Sequence, residues 1–322
     1  MTLDFLKASI GADMARVDAV LRESLSSEVV LIRQIAEYIV ASGGKRLRPA
    51  LVLLAAKACG DPEGHRHTLA AVVEMIHTAT LLHDDVVDES TQRRGRATAN
   101  ATFGNAASVL VGDFLYSRAF QMMVATGRMR VLEILSDATN VIAEGEVLQL
   151  MHAGDATLDE DGYVDVIRRK TAKLFEASAR LGPVLAGAPA AIEEALAGYG
   201  MHLGTAFQLV DDVLDYSGDA DTIGKSLGDD LAEGKPTLPL IRVLRAGGDA
   251  ERDVVRRAIV DGGRDDFPAV IAAIRATGAL DYARAAAQRE AQAAIAALSP
   301  IPDSSAKQSL LELASFSVTR DH

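Results

Sequence analysis

Apolar residues along most of this chain recur every three to four positions, the spacing that lines one face of an α-helix. Ala, Leu, Val and Ile carry the pattern. It is broken by short clusters of helix breakers: Ser42-Gly43-Gly44, Gly60-Asp61-Pro62, Gly104, Gly127, Gly154-Asp155, Gly182-Pro183, Gly187 to Pro189, Ser217-Gly218, Gly234 to Pro236, Gly247-Gly248 and Gly262-Gly263. The segments between them run to roughly 12–25 residues, the length of packed helices. Alternating β-branched runs closed by Asn-Gly or Asp-Gly turns are nearly absent, so no sheet is expected. No Pro/Ser-rich linker, repeat or low-complexity tract divides the sequence. The pattern predicts an all-α fold: a single domain over residues 1–322, built as one large helical bundle with one helix buried all round.

Composition narrows the picture. Hydrophobic residues make up 49% of the 322, ample for a core, and a wholly disordered chain is excluded. Lys plus Arg is 33 against 45 for Asp plus Glu, a net charge of −12. That balance argues against a duplex-binding surface, and 4% aromatic residues with no Trp argue against a single-strand stacking platform. No nucleic-acid partner is expected. Cys59 is the sole cysteine and has no internal partner, which fits a reducing compartment. The best apolar run, Ala50 to Ala56, stops at Lys57, well short of the ~18 residues of a membrane span. Asp4, Lys7 and Asp13 interrupt the N-terminus, so no signal peptide or transmembrane segment is read and a cytoplasmic location is expected.

Two stretches are irregular. The polar turn over 60–67 carries His65 and His67, read as a solvated loop and not as a metal site. Residues 217–236 hold four glycines, five acids and two lysines, and read as a lid.

Candidate chemistry concentrates in a recurring acidic pattern. Asp84-Asp85-Val86-Val87-Asp88 places Asp84 and Asp88 as i,i+4 neighbours on a helix, roughly 5–6 Å apart at Cβ. Like charges there are destabilising unless a cation neutralises them. Alone, the cluster could be a solvated helix end beside Arg93, Arg94 and Arg96. It recurs, however, as Asp211-Asp212-Val213-Leu214-Asp215, again within apolar sequence. All-oxygen ligands suit hard cations, and Mg²⁺ typically takes one or two carboxylates together with substrate phosphates. Facing each other across a bundle, the clusters would hold Mg²⁺ ions bridging a diphosphate. Cations for its oxygens are supplied by Lys45, Arg46 and Arg48 before Pro49, by Arg93-Arg94, by Lys170 with Thr171, and by Lys225 and Lys235 in the lid. Gly224-Lys225-Ser226 imitates the end of a Walker A loop, but the spacing from Gly218 is wrong and no strand precedes it.

These blocks resemble the trans-type prenyl diphosphate synthases, the polyprenyl synthetases. The resemblance runs through Gly43 to Pro49, Glu74 to His77 and on to Asp88, Arg93-Arg94-Gly95, Gly145-Glu146 with Gln149, Lys170-Thr171-Ala172, Gln208 to Asp215, and Gly224-Lys225 through Lys235-Pro236-Thr237. It is strongest to the bacterial branch that makes octaprenyl chains for quinones. It implies the all-α isoprenoid synthase fold with a deep central cavity, a homodimer, and Mg²⁺ as cofactor, three ions with substrate bound. Asp84, Asp88 and Asp211 would bind the metal, with Asp85, Asp212 and Asp215 in support. Lys45, Arg48, His77 and Arg94 would hold isopentenyl diphosphate. Arg93, Lys170, Thr171, Gln208, Lys225 and Lys235 would hold the allylic diphosphate, with Lys170, Thr171 and Gln208 also screening the allylic cation.

Product length is read from the helix before Asp84. Short-chain relatives carry bulky aromatics four or five positions before the first Asp, whereas this chain has Thr80 and Ala79, with Ile76 a turn further on. Small residues there, and the short Val86-Val87 spacer, imply a long product. The alternatives are a shorter-chain geranylgeranyl or farnesyl diphosphate synthase, a terpene cyclase on the same fold, and a non-catalytic subunit of a heteromeric synthase. A cyclase has no use for a second diphosphate site, and a non-catalytic subunit is expected to have lost carboxylates that are all intact here.

Overall fold

A computed structural model describes residues 4–41, 43–60, 64–93, 95–217, 228–262 and 265–320. Arg94, Lys225 and half of the expected lid, residues 218–227, lie outside the described residues. The described chain is helical, as the periodicity requires: α1 Asp4–Ser24, α2 Val30–Ala41, α3 Leu47–Ala58, α4 Arg66–Val87, α5 Ala99–Phe103, α6 Asn105–Ala125, α7 Met129–His152, α8 Glu160–Ile167, α9 Lys173–Ala186, α10 Ala190–Ser217, α11 Asp229–Ala232, α12 Leu238–Ala246, α13 Asp249–Asp261, α14 Phe267–Ala276, α15 Ala279–Ala297 and α16 Ser305–Thr319. A π-helical turn, Arg168–Ala172, joins α8 to α9. Among the described residues no helix is long and apolar enough to cross a membrane.

The residues group into two compact units. One comprises Met1–Thr139, Leu174–Gly200 and Ala297–Leu313; the other comprises Asn140–Lys173, Met201–Ala296 and Ala314–His322. In the first, α3 is the helix buried all round: Leu47, every residue from Pro49 to Ala56, and Ala58 are inaccessible. Such a helix gains its stability from packing on every side, at about 25 cal/mol per Å² of apolar surface. The middle of α4, residues 69–76, is equally buried.

Two expectations are corrected. Gly182-Pro183 does not break a helix, since α9 runs through it with Pro183 inside. Gly182 faces α3 so closely that a Cβ would lie 2.4 Å from the Ala55 carbonyl carbon. This buried contact offsets the backbone hydrogen bond that proline forfeits. The second correction is a two-stranded hairpin, β1 Gln92–Arg93 and β2 Arg96–Ala97, where no sheet was expected. Strands of two residues are too short to leave an alternation in the sequence.

The second unit carries two apolar clusters. Leu231, Leu240, Val255, Ile259 and Ile274 pack in one; Tyr163, Ile167, Leu209, Val213 and Ala287 pack in the other. The latter fixes the C-terminal half of α10 against α8, so the second acidic motif sits on a rigid support.

Candidate active site

The first acidic motif forms the C-terminal end of α4. Asp84 lies in its last turn and Asp88 is the C-cap, with the Asp88 amide donating to the Asp84 carbonyl. The chain then reverses: Ser90 N donates to Asp85 O at 3.0 Å and Glu89 N to Val86 O, with Glu89 left-handed at φ 50. This paired closure usually recruits glycine. It is braced by Asn100, whose Nδ2 donates to the Asp85 and Ser90 carbonyls at 2.9 and 3.1 Å, and by Thr98 Oγ1 to Ser90 O at 2.7 Å.

The three aspartates are not equivalent. Asp85 is 4% exposed and accepts from Arg93 Nε and Nη2 at 2.8 and 2.7 Å. Asp84 and Asp88 are half-buried, reachable from solvent. Two carboxylates at the negative pole of a helix are an unfavourable arrangement that a hard cation relieves. The donor set, oxygen only, fits Mg²⁺.

Around this motif lie the cations expected to bind diphosphate. Arg48 stacks its guanidinium 4.5 Å from the Phe175 ring centroid. His77, Arg46, Glu74, Asp85 and Arg93 line a cavity of about 70 Å³ together with Met75, Leu82 and Leu115. Ile76, Ala79 and Thr80 do not line it. The cavity takes the α4 stripe Met75, Thr78, Leu82 and Asp85; with successive residues ~100° apart, Thr80 and Ile76 lie toward the far side of the helix and Ala79 on the flank of the stripe. Ala79 and Ile76 are fully buried, and Thr80 Oγ1 donates to the His77 carbonyl.

The second motif closes α10 in the other unit and repeats the division of labour. Asp212 is 2% exposed; Tyr163 Oη donates to its Oδ2 at 2.5 Å and Gln208 Nε2 to its Oδ1 at 2.8 Å. Gln208 Oε1 in turn accepts from Thr171 Oγ1 at 3.0 Å. Asp211 is 42% exposed and meets Arg320 Nη2 at 2.5 Å, while Asp215 is half-buried. Arg320 is itself enclosed, donating to Phe207 O at 2.7 Å and lying 3.8 Å over the Phe207 ring. Lys170 Nζ reaches Gln149 Oε1 at 2.7 Å and Glu146 Oε2 at 2.6 Å. Lys235 pairs with Glu233.

Lys170 and Thr171 both belong to the π-turn, a wide turn that often marks functional sites. Gly145 on α7 lies against it: a Cβ there would fall 2.6 Å from the Lys170 amide nitrogen. The structure thus joins Thr171, Gln208 and Asp212 in one hydrogen-bonded chain and ties Lys170 to α7.

Sequence reasoning assigned no role to Asn100, Tyr163 or Arg320. The partners of Tyr163 and Arg320 are distant along the chain and those of Asn100 lie across the reversal after α4, and no periodic signal announces such contacts. Glu146 and Gln149 stood in a family-like block without a role.

Burial pushes the Asp212 carboxyl up to about 8, and the nearby Asp230 charge adds to the effect, while the Tyr163 and Gln208 bonds oppose it. Burial, then the Asp212 charge, also raises the Tyr163 phenol, keeping it a donor. The unfolded Asp212 carboxyl releases its proton near 3.8, and the folded one holds it to about 8. Unfolding therefore releases a proton within that window, and stability falls as pH rises through it. In chelator, melting temperature should decline from pH 5 to 8 more steeply for the wild type than for Asp212→Asn. Equal slopes would refute this assignment.

A family profile described as polyprenyl synthetase matches residues 29–274. The octaprenyl diphosphate synthase of Escherichia coli (strain K12) is 53% identical over 323 residues, covering 100% of both chains. The all-trans-nonaprenyl-diphosphate synthase (geranyl-diphosphate specific) of Rhodobacter capsulatus is 46% identical, covering 99% of each. A crystal structure of polyprenyl synthase from Caulobacter crescentus CB15, complexed with calcium and isoprenyl diphosphate, matches with a TM-score of 0.96 at 47% identity over 100% of this chain and 98% of that one. The chain belongs to the polyprenyl synthetase family and is a prenyltransferase of the long-chain trans-prenyl diphosphate synthase type.

Proposed function

We propose that this enzyme adds isopentenyl diphosphate units to an allylic primer, farnesyl diphosphate, to give an all-trans product of octaprenyl to decaprenyl length for quinone side chains. The observation that carries the reading is the repeated build of the two acidic motifs. In each, a buried middle aspartate anchors the helix end while the outer aspartates are only half-buried.

Asp84, Asp88 and Asp211 would hold Mg²⁺, three ions with substrate bound. Mg²⁺ supplies Lewis-acid stabilisation of charge developing on the diphosphate leaving group. Arg93, Lys170 and Lys235 bind the allylic diphosphate, and Lys45, Arg48 and His77 bind isopentenyl diphosphate. Lys225 joins the allylic set and Arg94 the isopentenyl diphosphate set; both lie outside the described residues. The allylic C–O bond breaks with its electron pair leaving on diphosphate. The isopentenyl double bond forms the new C–C bond, and the proton then lost passes to the departed diphosphate. Thr171 and Gln208 turn their dipoles toward the allylic cation, and preorganised dipoles of this kind need no reorientation as charge develops. The protein acts as a cytoplasmic homodimer, a reading favoured by exposed apolar residues on α6, with Leu110 67% and Val124 61% accessible.

Chain length tests the reading. Each isoprene unit extends the tail by roughly one helical turn, ~5.4 Å, and Ala79 lies between one and two turns before Asp84. Ala79→Tyr should therefore stop elongation near farnesyl to geranylgeranyl length with the first condensation preserved, and Thr80→Phe should act alike. Chromatography of dephosphorylated products reads the outcome. Soluble, active Ala79→Tyr that still makes octaprenyl chains would show that the tail does not pass this residue.

A further inference from the structure

Arg46 lies between two cations assigned to isopentenyl diphosphate, Lys45 and Arg48, at the boundary where α3 begins. Its backbone is left-handed, φ 50 and ψ 36, and no side-chain cap closes that helix end. Among the described residues the other non-glycine residue with positive φ is Glu89, just beyond the first acidic motif. A residue with a Cβ stays in this region when its surroundings hold it there. The structure supplies a holder: Arg46 Nη1 donates to Glu74 Oε1 at 2.5 Å, with the two side chains 18% and 10% exposed. Glu74 sits in the buried middle of α4, three residues before His77. One ion pair therefore ties the start of α3 to the turn of α4 that carries His77, and Arg46, Glu74 and His77 line the same cavity.

We infer that Arg46 and Glu74 are positioning residues for the isopentenyl diphosphate pocket: their ion pair holds the left-handed turn that sets where Lys45 and Arg48 leave the backbone relative to His77. The inference rests on the assignment of those three residues to isopentenyl diphosphate. The Arg46 guanidinium is already engaged by a buried carboxylate, so its contribution is conformational. A glycine at position 46 would settle into the same left-handed turn without an ion pair, because it has no Cβ to clash there.

Steady-state kinetics of the wild type, Glu74→Ala, Glu74→Gln and the double variant Arg46→Gly/Glu74→Ala test this. Glu74→Ala should raise KM for isopentenyl diphosphate about tenfold or more, because the buried guanidinium loses its partner and the turn relaxes. KM for farnesyl diphosphate should stay within about twofold, the mark of an effect confined to one pocket. Glu74→Gln keeps an acceptor and should show a smaller rise. In the double variant glycine adopts positive φ freely and no buried charge is left, so KM for isopentenyl diphosphate should return toward the wild-type value. If Glu74→Ala fails to fold, the double variant carries the test alone: a near-wild-type KM supports the inference and a raised one overturns it. An unchanged KM in Glu74→Ala, or equal rises for both substrates, also overturns it. A wild type that consumes no isopentenyl diphosphate overturns the functional reading, and this inference with it.

Discussion

Turnover is expected to fall by about two to three orders of magnitude when Asp84 or Asp211 is replaced by Asn, and chelation should abolish the activity of the wild type until Mg²⁺ is restored. Each substitution removes a hard ligand but preserves side-chain volume, so the effect should fall on chemistry and not on folding. Stability measured without metal separates the two. Asp84 shares the negative end of α4 with Asp88, and removing one charge there should leave the melting temperature unchanged or raise it, by about 0.3–1 kcal/mol of relieved repulsion. Asp85→Asn should behave in the opposite way. It leaves Arg93 without a charged partner in a largely buried setting and should destabilise the metal-free protein. Full activity of Asp84→Asn in excess chelator would remove the metal from the account.

Gly145→Val should be nearly as damaging, although it lies outside both acidic motifs. Even the first carbon of the new side chain would stand 2.6 Å from the Lys170 amide nitrogen, 2.8 Å from Arg169 Cβ and 3.0 Å from the Arg169 carbonyl carbon, so backbone itself is in the way. Either α7 or the π-turn must shift. A shift in the π-turn moves Lys170 off Glu146 and Gln149, and moves Thr171 off Gln208. Misplacing positioning groups by about 1 Å can cost on the order of a hundredfold in rate. Overpacking of this kind typically destabilises by ~1–3 kcal/mol, so kcat should be measured well below the variant's melting temperature. A folded Gly145→Val enzyme with wild-type kcat would show that the close approach is not needed for catalysis.

Much of this architecture was legible before the structure. Helical periodicity, the breaker clusters and the apolar run in α3 give the all-α fold, because those signals are local and repeat along the chain. Gly182-Pro183 misled for a physical reason. Breaker chemistry describes an isolated backbone, and here close packing of α9 on Ala55 and Ala56 outweighs it. The acidic motifs were legible as pairs of triplets, but the inequality within each triplet was not. Whether Asp85 or Asp84 is buried depends on Arg93 and Asn100, and whether Asp212 or Asp211 is buried depends on Tyr163, forty-nine residues away. Ion pairs and hydrogen bonds of that span leave no periodic trace. The same holds for Arg320, whose neighbours Phe207 and Asp211 lie more than a hundred residues earlier.

The most direct measurement is the product-length distribution of the purified protein, incubated alone with farnesyl diphosphate, labelled isopentenyl diphosphate and Mg²⁺. All-trans chains of octaprenyl to decaprenyl length are expected, formed without any partner protein and lost on chelation. Absence of product until a second protein is added, or a product that stops at geranylgeranyl length with isopentenyl diphosphate in excess, would contradict it.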